Sequence, residues 1–171
     1  MIHINKIIGN INSDSDLGKK YQTMLKNDKV EKIQVSRLEA DRIRIRKLSN
    51  KGTDLALTME PGSHINDGDV VLLTEEKMII TKRDSENIVI VSLNSDISTQ
   101  QTLETAIKLG HIIGNMHRPI KVANNQVHFP IQSDSEIEMF KKLFYKLRQN
   151  ISIKNENIIF EPDLGYDIHG H

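Results

Sequence analysis

The sequence predicts an α+β protein: an N-terminal all-β domain, residues 1–84, followed by a ferredoxin-like βαββαβ domain, residues 85–160. Three observations carry this. Residues 1–81 hold short apolar runs between turn residues, with no convincing helical period. Arg42-Ile43-Arg44-Ile45-Arg46 alternates strictly, which puts two isoleucines on one strand face and three arginines on the other. From Ile88 onward the pattern changes to strand, capped helix, hairpin, helix and strand.

In the first half, His3 to Ile8 and Lys32 to Ser36 are apolar-rich enough for strands, and Arg42 to Arg46 follows. Lys51-Gly52 reads as a turn before a strand from Leu55 to Met59. Pro61-Gly62 and Asn66-Asp67-Gly68-Asp69 supply turn chemistry before Val70 to Leu73, and Met78 to Thr81 ends the set. Asp14 to Leu25 is a polar excursion that the pattern leaves unassigned. Lys82 to Asn87 is charged and apolar-free, the best candidate for a linker.

In the second half, Ile88 to Leu93 is a continuous apolar run, as in a strand buried on both faces. Ser98-Thr99-Gln100-Gln101 has the form of a capping box. Leu103, Ala106, Ile107, Gly110 and Ile113 follow helical spacing, and Gly114-Asn115 makes a stop because both residues tolerate left-handed backbone. Ile120 to Val122 and Val127 to Ile131 flank Asn124-Asn125 as a hairpin. A second helix starts at Ser133 or Ser135, with Ile137, Phe140, Leu143, Phe144 and Leu147 on one stripe. Ile151 to Phe160 closes with strand character, and residues 161–171 form a histidine-bearing tail.

Composition narrows the function classes. At 37% hydrophobic and 27% charged residues, the chain fits an ordinary globular protein whose two small cores an oligomer interface would help to stabilise. Lys+Arg and Asp+Glu are equal at 23 each, so no bulk charge points to nucleic acid or an anionic membrane. The absence of cysteine excludes disulfides, zinc ribbons, iron–sulfur ligation and thiol catalysis. Met1-Ile2-His3-Ile4-Asn5 is neither a signal peptide nor a membrane anchor, and the expected location is the cytosol.

Four of the 7 histidines fall in two short pieces, His111 and His117 around a helix end and His169 and His171 in the tail. Imidazole is the commonest metal-binding side chain, and nothing else in the chain competes as a functional signature. His111 and His117 are too far apart in helical azimuth to chelate one ion as an i, i+4 pair would. Past the helix end, His117 can point outward and meet its copy across a two-fold axis. The other reading of His117 is a helix-end histidine that favours the dipole. His111 fits a half-buried, hydrogen-bonded histidine at the stripe's edge, with metal ligation as its alternative. His169-x-His171 can bind Ni, Zn or Cu weakly, or be a plain polar terminus. His128 reads as a surface strand residue, and His3 and His64 have no companions in the sequence.

Several motifs now occur in a telling order. They are Asp41-Arg42 with its basic alternation, Leu57, Pro61-Gly62, Asp67-Gly68-Asp69-Val70, Gly114-Asn115-x-His117, Phe160-Glu161-Pro162 and the histidine-bearing tail. Together they resemble the urease nickel metallochaperones, the UreE family. The resemblance implies a cytosolic homodimer with a so-called peptide-binding N-terminal domain and a metal-binding ferredoxin-like domain. It implies that His117 is the interface ligand, that His169 and His171 complete the shell, and that Ni2+ passes through an accessory GTPase to the apo-urease activation complex. Many members carry a long histidine-rich tail. Two histidines here favour delivery over multi-ion storage.

The donor set agrees, since imidazole and oxygen without thiolate suits Ni2+, Zn2+ and Cu2+. Intrinsic affinity would favour copper, so selectivity must come from metal supply and from the partner. No nucleophile, general base or oxyanion hole accompanies His117, and no catalysis is assigned. Two rival classes are a metal-dependent hydrolase built on His111, His117 and a carboxylate, and a peptide-binding adaptor with incidental histidines.

Overall fold

The computed structural model describes residues 1–163. The chain divides into two units, Met1–Asp84 and a second that begins at Ser85. The tail histidines His169 and His171 lie outside the described residues.

The first unit runs β1 (Ile2–Ile4), β2 (Gly9–Asn10), α1 (Ser15–Lys26), β3 (Val30–Val35), α2 (Arg37–Ala40), β4 (Arg44–Leu48), β5 (Asp54–Thr58), β6 (Asp69–Leu73) and β7 (Met78–Arg83). It forms two mixed sheets, of order β1-β5-β4 and β2-β6-β7-β3. Strand β1 lies parallel to β5, and β3 parallel to β7, while the remaining pairs are antiparallel. Alternate residues of both sheets meet in one core that includes Ile4, Ile33, Ile45, Leu55, Leu57, Val71 and Ile79.

The expectation of an all-β first half is corrected by α1. Asp14 caps this helix, its carboxylate accepting from the N–H groups of Asp16 at 2.9 Å and Leu17 at 3.1 Å. Leu17, Tyr21 and Met24 stand at i, i+4 and i+7 and pack on Val70, Met78 and Ile80. Met78 and Ile80 flank Ile79 on β7, so α1 covers the sheet face opposite the main core. Three apolar residues in a polar stretch are a thin signal. The short helix α2 has no counterpart in the sequence pattern either. Of the region His3 to Ile8, only His3 and Ile4 are in a strand, at the end of β1, and β2 begins at Gly9 in the other sheet.

Lys82 to Asn87 is not a linker of the expected length, because β7 runs through Arg83 and the next strand begins at Glu86.

The second unit runs β8 (Glu86–Leu93), α3 (Thr99–Asn115), β9 (Lys121–Ala123), β10 (Gln126–Pro130), α4 (Ser135–Leu143), a 3-10 turn (Tyr145–Leu147) and β11 (Ile151–Ile158). Its sheet has the order β11-β8-β10-β9, antiparallel throughout. Asn124 and Asn125 both adopt positive φ, 51° and 60°, the backbone of a two-residue hairpin turn matched to strand twist. The Ser98 capping box is present, with the Ser98 N–H donating to Gln101 Oε1 at 3.0 Å and Gln101 N–H to Ser98 Oγ at 3.3 Å.

Both helices pack on one sheet face. Leu109 and Ile113 of α3 and Phe140 of α4, with Phe144 after it, meet Val89, Val91 and Phe129. Phe129 and Phe140 have ring centroids 4.7 Å apart. On the other face, Phe160 covers Ile88 and Ile90. This accounts for a strand apolar on both sides. Beyond Phe160, the Asp163 N–H donates to Ile120 O at 3.0 Å, which brings the chain to the β9 edge.

The stripe expected on α3 is displaced. Leu103 is 61% and Ile107 63% exposed, with Ala106 and Gly110 exposed beside them; of that set, Ile113 alone is buried. The buried line is Thr105, Leu109 and Ile113, flanked by Ile112 and Met116. The helix carries two apolar stripes, and nothing in the local pattern favours the one that faces the sheet.

Candidate metal centre

Helix α3 ends at Asn115, at the expected stop, but neither Gly114 nor Asn115 takes the left-handed backbone expected of it. Met116 is the C-cap, and the following residue, His117, takes the left-handed backbone with φ 50°. The His117 N–H donates to Gly114 O at 2.9 Å, the bond that closes a helix end when the residue after the cap is left-handed. Glycine usually fills that position, because a side chain there costs about 1 kcal/mol or more. Here an exposed imidazole occupies it.

The next residue pins this turn. Arg118 Nη2 donates to Glu136 Oε1 of α4 at 2.8 Å, with both side chains largely buried. Glu136 also accepts from the Gln132 N–H at 2.9 Å. The backbone on the C-terminal side of His117 is therefore tied to the start of α4.

His111 is exposed, not half-buried as expected. Its Nε2 lies 3.1 Å from Asn115 Nδ2, one helical turn away. The amide nitrogen can only donate, so Nε2 accepts and the proton sits on Nδ1. Within Gly-Asn-x-His, the asparagine thus engages His111. Upstream of it on α3, Leu103, Ile107 and Gly110 are exposed, as is Gly114 beyond it, and a Cβ added at either glycine would meet nothing within 4 Å.

A second anchor lies just past His117 in the chain. Asp163 Oδ2 accepts from the Val122 N–H at 2.8 Å, which adds to the Asp163 N–H bond with Ile120. The descending chain thus reaches the β9 edge a few residues after His117. Nothing in the sequence signals this pairing, since the partners stand 41 positions apart.

The remaining histidines divide. His128 is half-buried on the outer sheet face, not at the surface. Burial lowers its pKa, helped by the charges of Lys121 and Lys154, against an opposing effect of Glu156. His64 has partners that its sequence neighbourhood does not suggest. Its Nδ1 lies 2.6 Å from Asp41 Oδ1, and its Nε2 2.9 Å from Arg83 Nη1. Arginine only donates, so Nε2 accepts, Nδ1–H donates to Asp41, and both ring nitrogens are engaged. His3 lies on β1, within the first unit. Among the described residues no three His, Asp or Glu side chains converge on a common point. No helix among them is long and apolar enough to cross a membrane.

Comparison with known proteins finds similarity to one family. Residues 4–82 match the sequence model of the UreE urease accessory protein N-terminal domain. The urease accessory protein UreE of Yersinia intermedia is 29% identical over 135 residues, covering 77% of this chain and 58% of that protein. Over these stretches the chain is similar to UreE proteins. The UreE of Natronomonas pharaonis is similar as well, 26% identical over 137 residues, covering 80% of this chain and 63% of that protein. The chain thus spans about three-fifths of the length of these UreE relatives. UreE is a family of accessory proteins and not of enzymes.

Proposed function

We propose that this chain is a nickel metallochaperone that donates Ni2+ to the urease activation complex during metallocentre assembly. It works as a cytoplasmic homodimer, with the accessory GTPase and apo-urease as partners. The second unit is read as a ferredoxin-like metal-binding domain. Its βαββαβ order and antiparallel strand order β11-β8-β10-β9 support that reading.

The observation that carries the proposal is the backbone of His117. An exposed imidazole stands at a helix end where glycine would be less strained, and such local strain is retained where the side chain has a use. One imidazole is a fraction of a coordination shell. A two-fold axis supplies a second copy, and the exposed band of Leu103, Ile107, Gly110 and Gly114 is a surface that a second α3 could cover.

The tail would supply further donors. His169 stands six residues beyond Asp163, and six extended residues reach at most about 20 Å. His169 and His171 follow this anchored residue in the chain and are proposed as the donors that join His117. His111 is assigned as an auxiliary ligand whose use requires release of Asn115. Zn2+ and Cu2+ fit the same donors.

The test is a calorimetric nickel titration of the full chain with the oligomer mass measured alongside. The expected result is a dimer that binds about one tight ion, with weaker tail sites, and loss of the tight ion in His117→Ala. Tight binding of one ion per monomer, unaffected by His117→Ala, would overturn the reading.

A further inference from the structure

The arginine-bearing strand of the first unit plays no part in the metal proposal. Strand β4 is the edge of its sheet, paired with β5 alone. The Ile43 carbonyl accepts from the Met59 N–H at 2.7 Å, and the Ser49 N–H donates to Thr53 O at 2.8 Å. The odd-numbered residues between them therefore turn their main chain toward β5. By antiparallel alternation, Arg44, Arg46 and Leu48 turn theirs toward the open edge.

The same three residues place their side chains on the sheet surface away from the core. Ile45 and its cross-strand partner Leu57 face inward, so Arg44 with Thr58, and Arg46 with Ala56 and His3, face outward. Arg44 and Arg46 are exposed, and Leu48 is 66% exposed. Two shallow depressions of ≈ 380 Å³ each flank Arg46. His3, Arg44, Ala56 and Thr58 line one with it, and Lys47, Leu48 and Asp54 the other. Arg46 already holds a carboxylate, its Nε and Nη2 reaching the two Asp54 oxygens at 3.0 and 2.9 Å.

We propose that β4 is a docking edge for an acidic, extended segment of a partner protein, which adds to the sheet as a further strand. Exposed edges are commonly blunted by charged side chains, above all lysine, by proline or by a bulge; the one lysine of β4, Lys47, is paired with Glu39 at 2.7 Å. This edge instead offers main-chain groups, guanidiniums that take carboxylates in bidentate fashion, and an uncovered leucine. Arg44 and Arg46 are two residues apart, the repeat at which an added strand presents side chains to one face. Carboxylates at alternate positions of the segment meet the two guanidiniums, and a following apolar residue meets Leu48. Exposed ion pairs are weak, so Asp54 can share Arg46 with an incoming carboxylate. This surface is independent of the metal reading.

The experiment is an amide-resolved NMR titration of the full chain with a capped octapeptide of glutamate and valine in which one strand face carries two glutamates and then a valine. Expected are saturable shifts centred on the amides of Arg44, Arg46 and Leu48. Affinity should fall at least roughly tenfold in Arg44→Glu/Arg46→Glu, and that variant should instead take the lysine–valine peptide. The same peptide N-methylated on its strand-facing amides should lose binding, a control that leaves the protein untouched. Three outcomes overturn the proposal: no binding up to about 1 mM, shifts centred elsewhere, or equal binding of the N-methylated peptide. Arg44→Gln/Arg46→Gln, which adds no negative charge, replaces the reversed variant if that one does not fold, and undiminished affinity in it counts equally against the proposal.

Discussion

Asp163 bonds to β9 through its side chain, Oδ2 accepting from the Val122 N–H at 2.8 Å. With the Asp163 N–H on Ile120 O, this fixes where the chain leaves the second unit's described fold, at a strand edge a few residues after His117. Asp163→Ala removes the side-chain bond and keeps the main-chain one. It should leave thermal stability within about 1 kcal/mol of the parent and weaken the tail's share of nickel binding. Calorimetry on Asp163→Ala, on a chain lacking residues 168–171 and on the combination checks this. If the tail contributes through the anchor, the two losses will not add. Full additivity would show that Asp163 has no part in presenting the tail.

His117→Gly separates backbone from side chain. Glycine suits the left-handed position, so the variant should be more stable than the parent by about 0.5–1 kcal/mol. It should also lose the tight nickel site. Thermal unfolding of the metal-free proteins and nickel titration read the two effects separately. A variant both less stable and fully metal-competent would remove the functional reading of the strain.

The exposed band on α3 predicts a variant that separates dimer from fold. Leu103→Asp with Ile107→Asp adds charge to surfaces already 61% and 63% exposed, so the monomer should fold unchanged. If the band is the two-fold interface, the dimer should dissociate and the tight ion should go with it. Light scattering and circular dichroism check both points. A dimer that persists would move the interface elsewhere on the unit.

Glu39 predicts an acid limit for the first unit. Its burial raises the pKa, but Lys47 at 2.7 Å and the Ser36 hydrogen bonds outweigh this and hold it at about 2. A carboxylate with a depressed folded pKa stabilises the fold above its unfolded value, and that contribution is lost as pH falls from about 4.5 toward about 2. His128, lowered mainly by burial, has the same sign at higher pH: its contribution begins to fall below the ordinary histidine value of 6.5. Glu39→Gln should flatten the acid side of the stability curve, and His128→Gln the part just below the ordinary histidine value. Denaturant unfolding across pH measures both. Curves that keep the parent's slope in those windows would show the groups are not coupled to folding.

Local chemistry made much of this protein legible in its sequence. The Ser98 capping box, the Asn124-Asn125 hairpin, and the continuous run from Ile88 depend on neighbours a few residues apart, and each stands where the pattern puts it. The candidate ligand His117 was legible for the same reason, because a helix end is a local event. Its backbone conformation was not. Gly114 and Asn115 both tolerate left-handed backbone, yet α3 ends on Asn115 and the left-handed residue is His117.

Tertiary structure decided what sequence periodicity leaves degenerate. Leu103-Ile107 and Leu109-Ile113 are equally apolar at helical spacing, and the sheet with its phenylalanine cluster took the second pair. Helix α1 has weak intrinsic signal and is held by Leu17, Tyr21 and Met24 against strands far along the chain. Contacts such as Asp163 with Val122, or His64 with Asp41 and Arg83, join groups from 19 to 41 positions apart. Sequence composition and local propensity thus determined most element types and the histidines worth testing. Long-range packing determined which faces are covered and what each histidine touches, because the free energy of burial depends on partners that a local pattern does not specify.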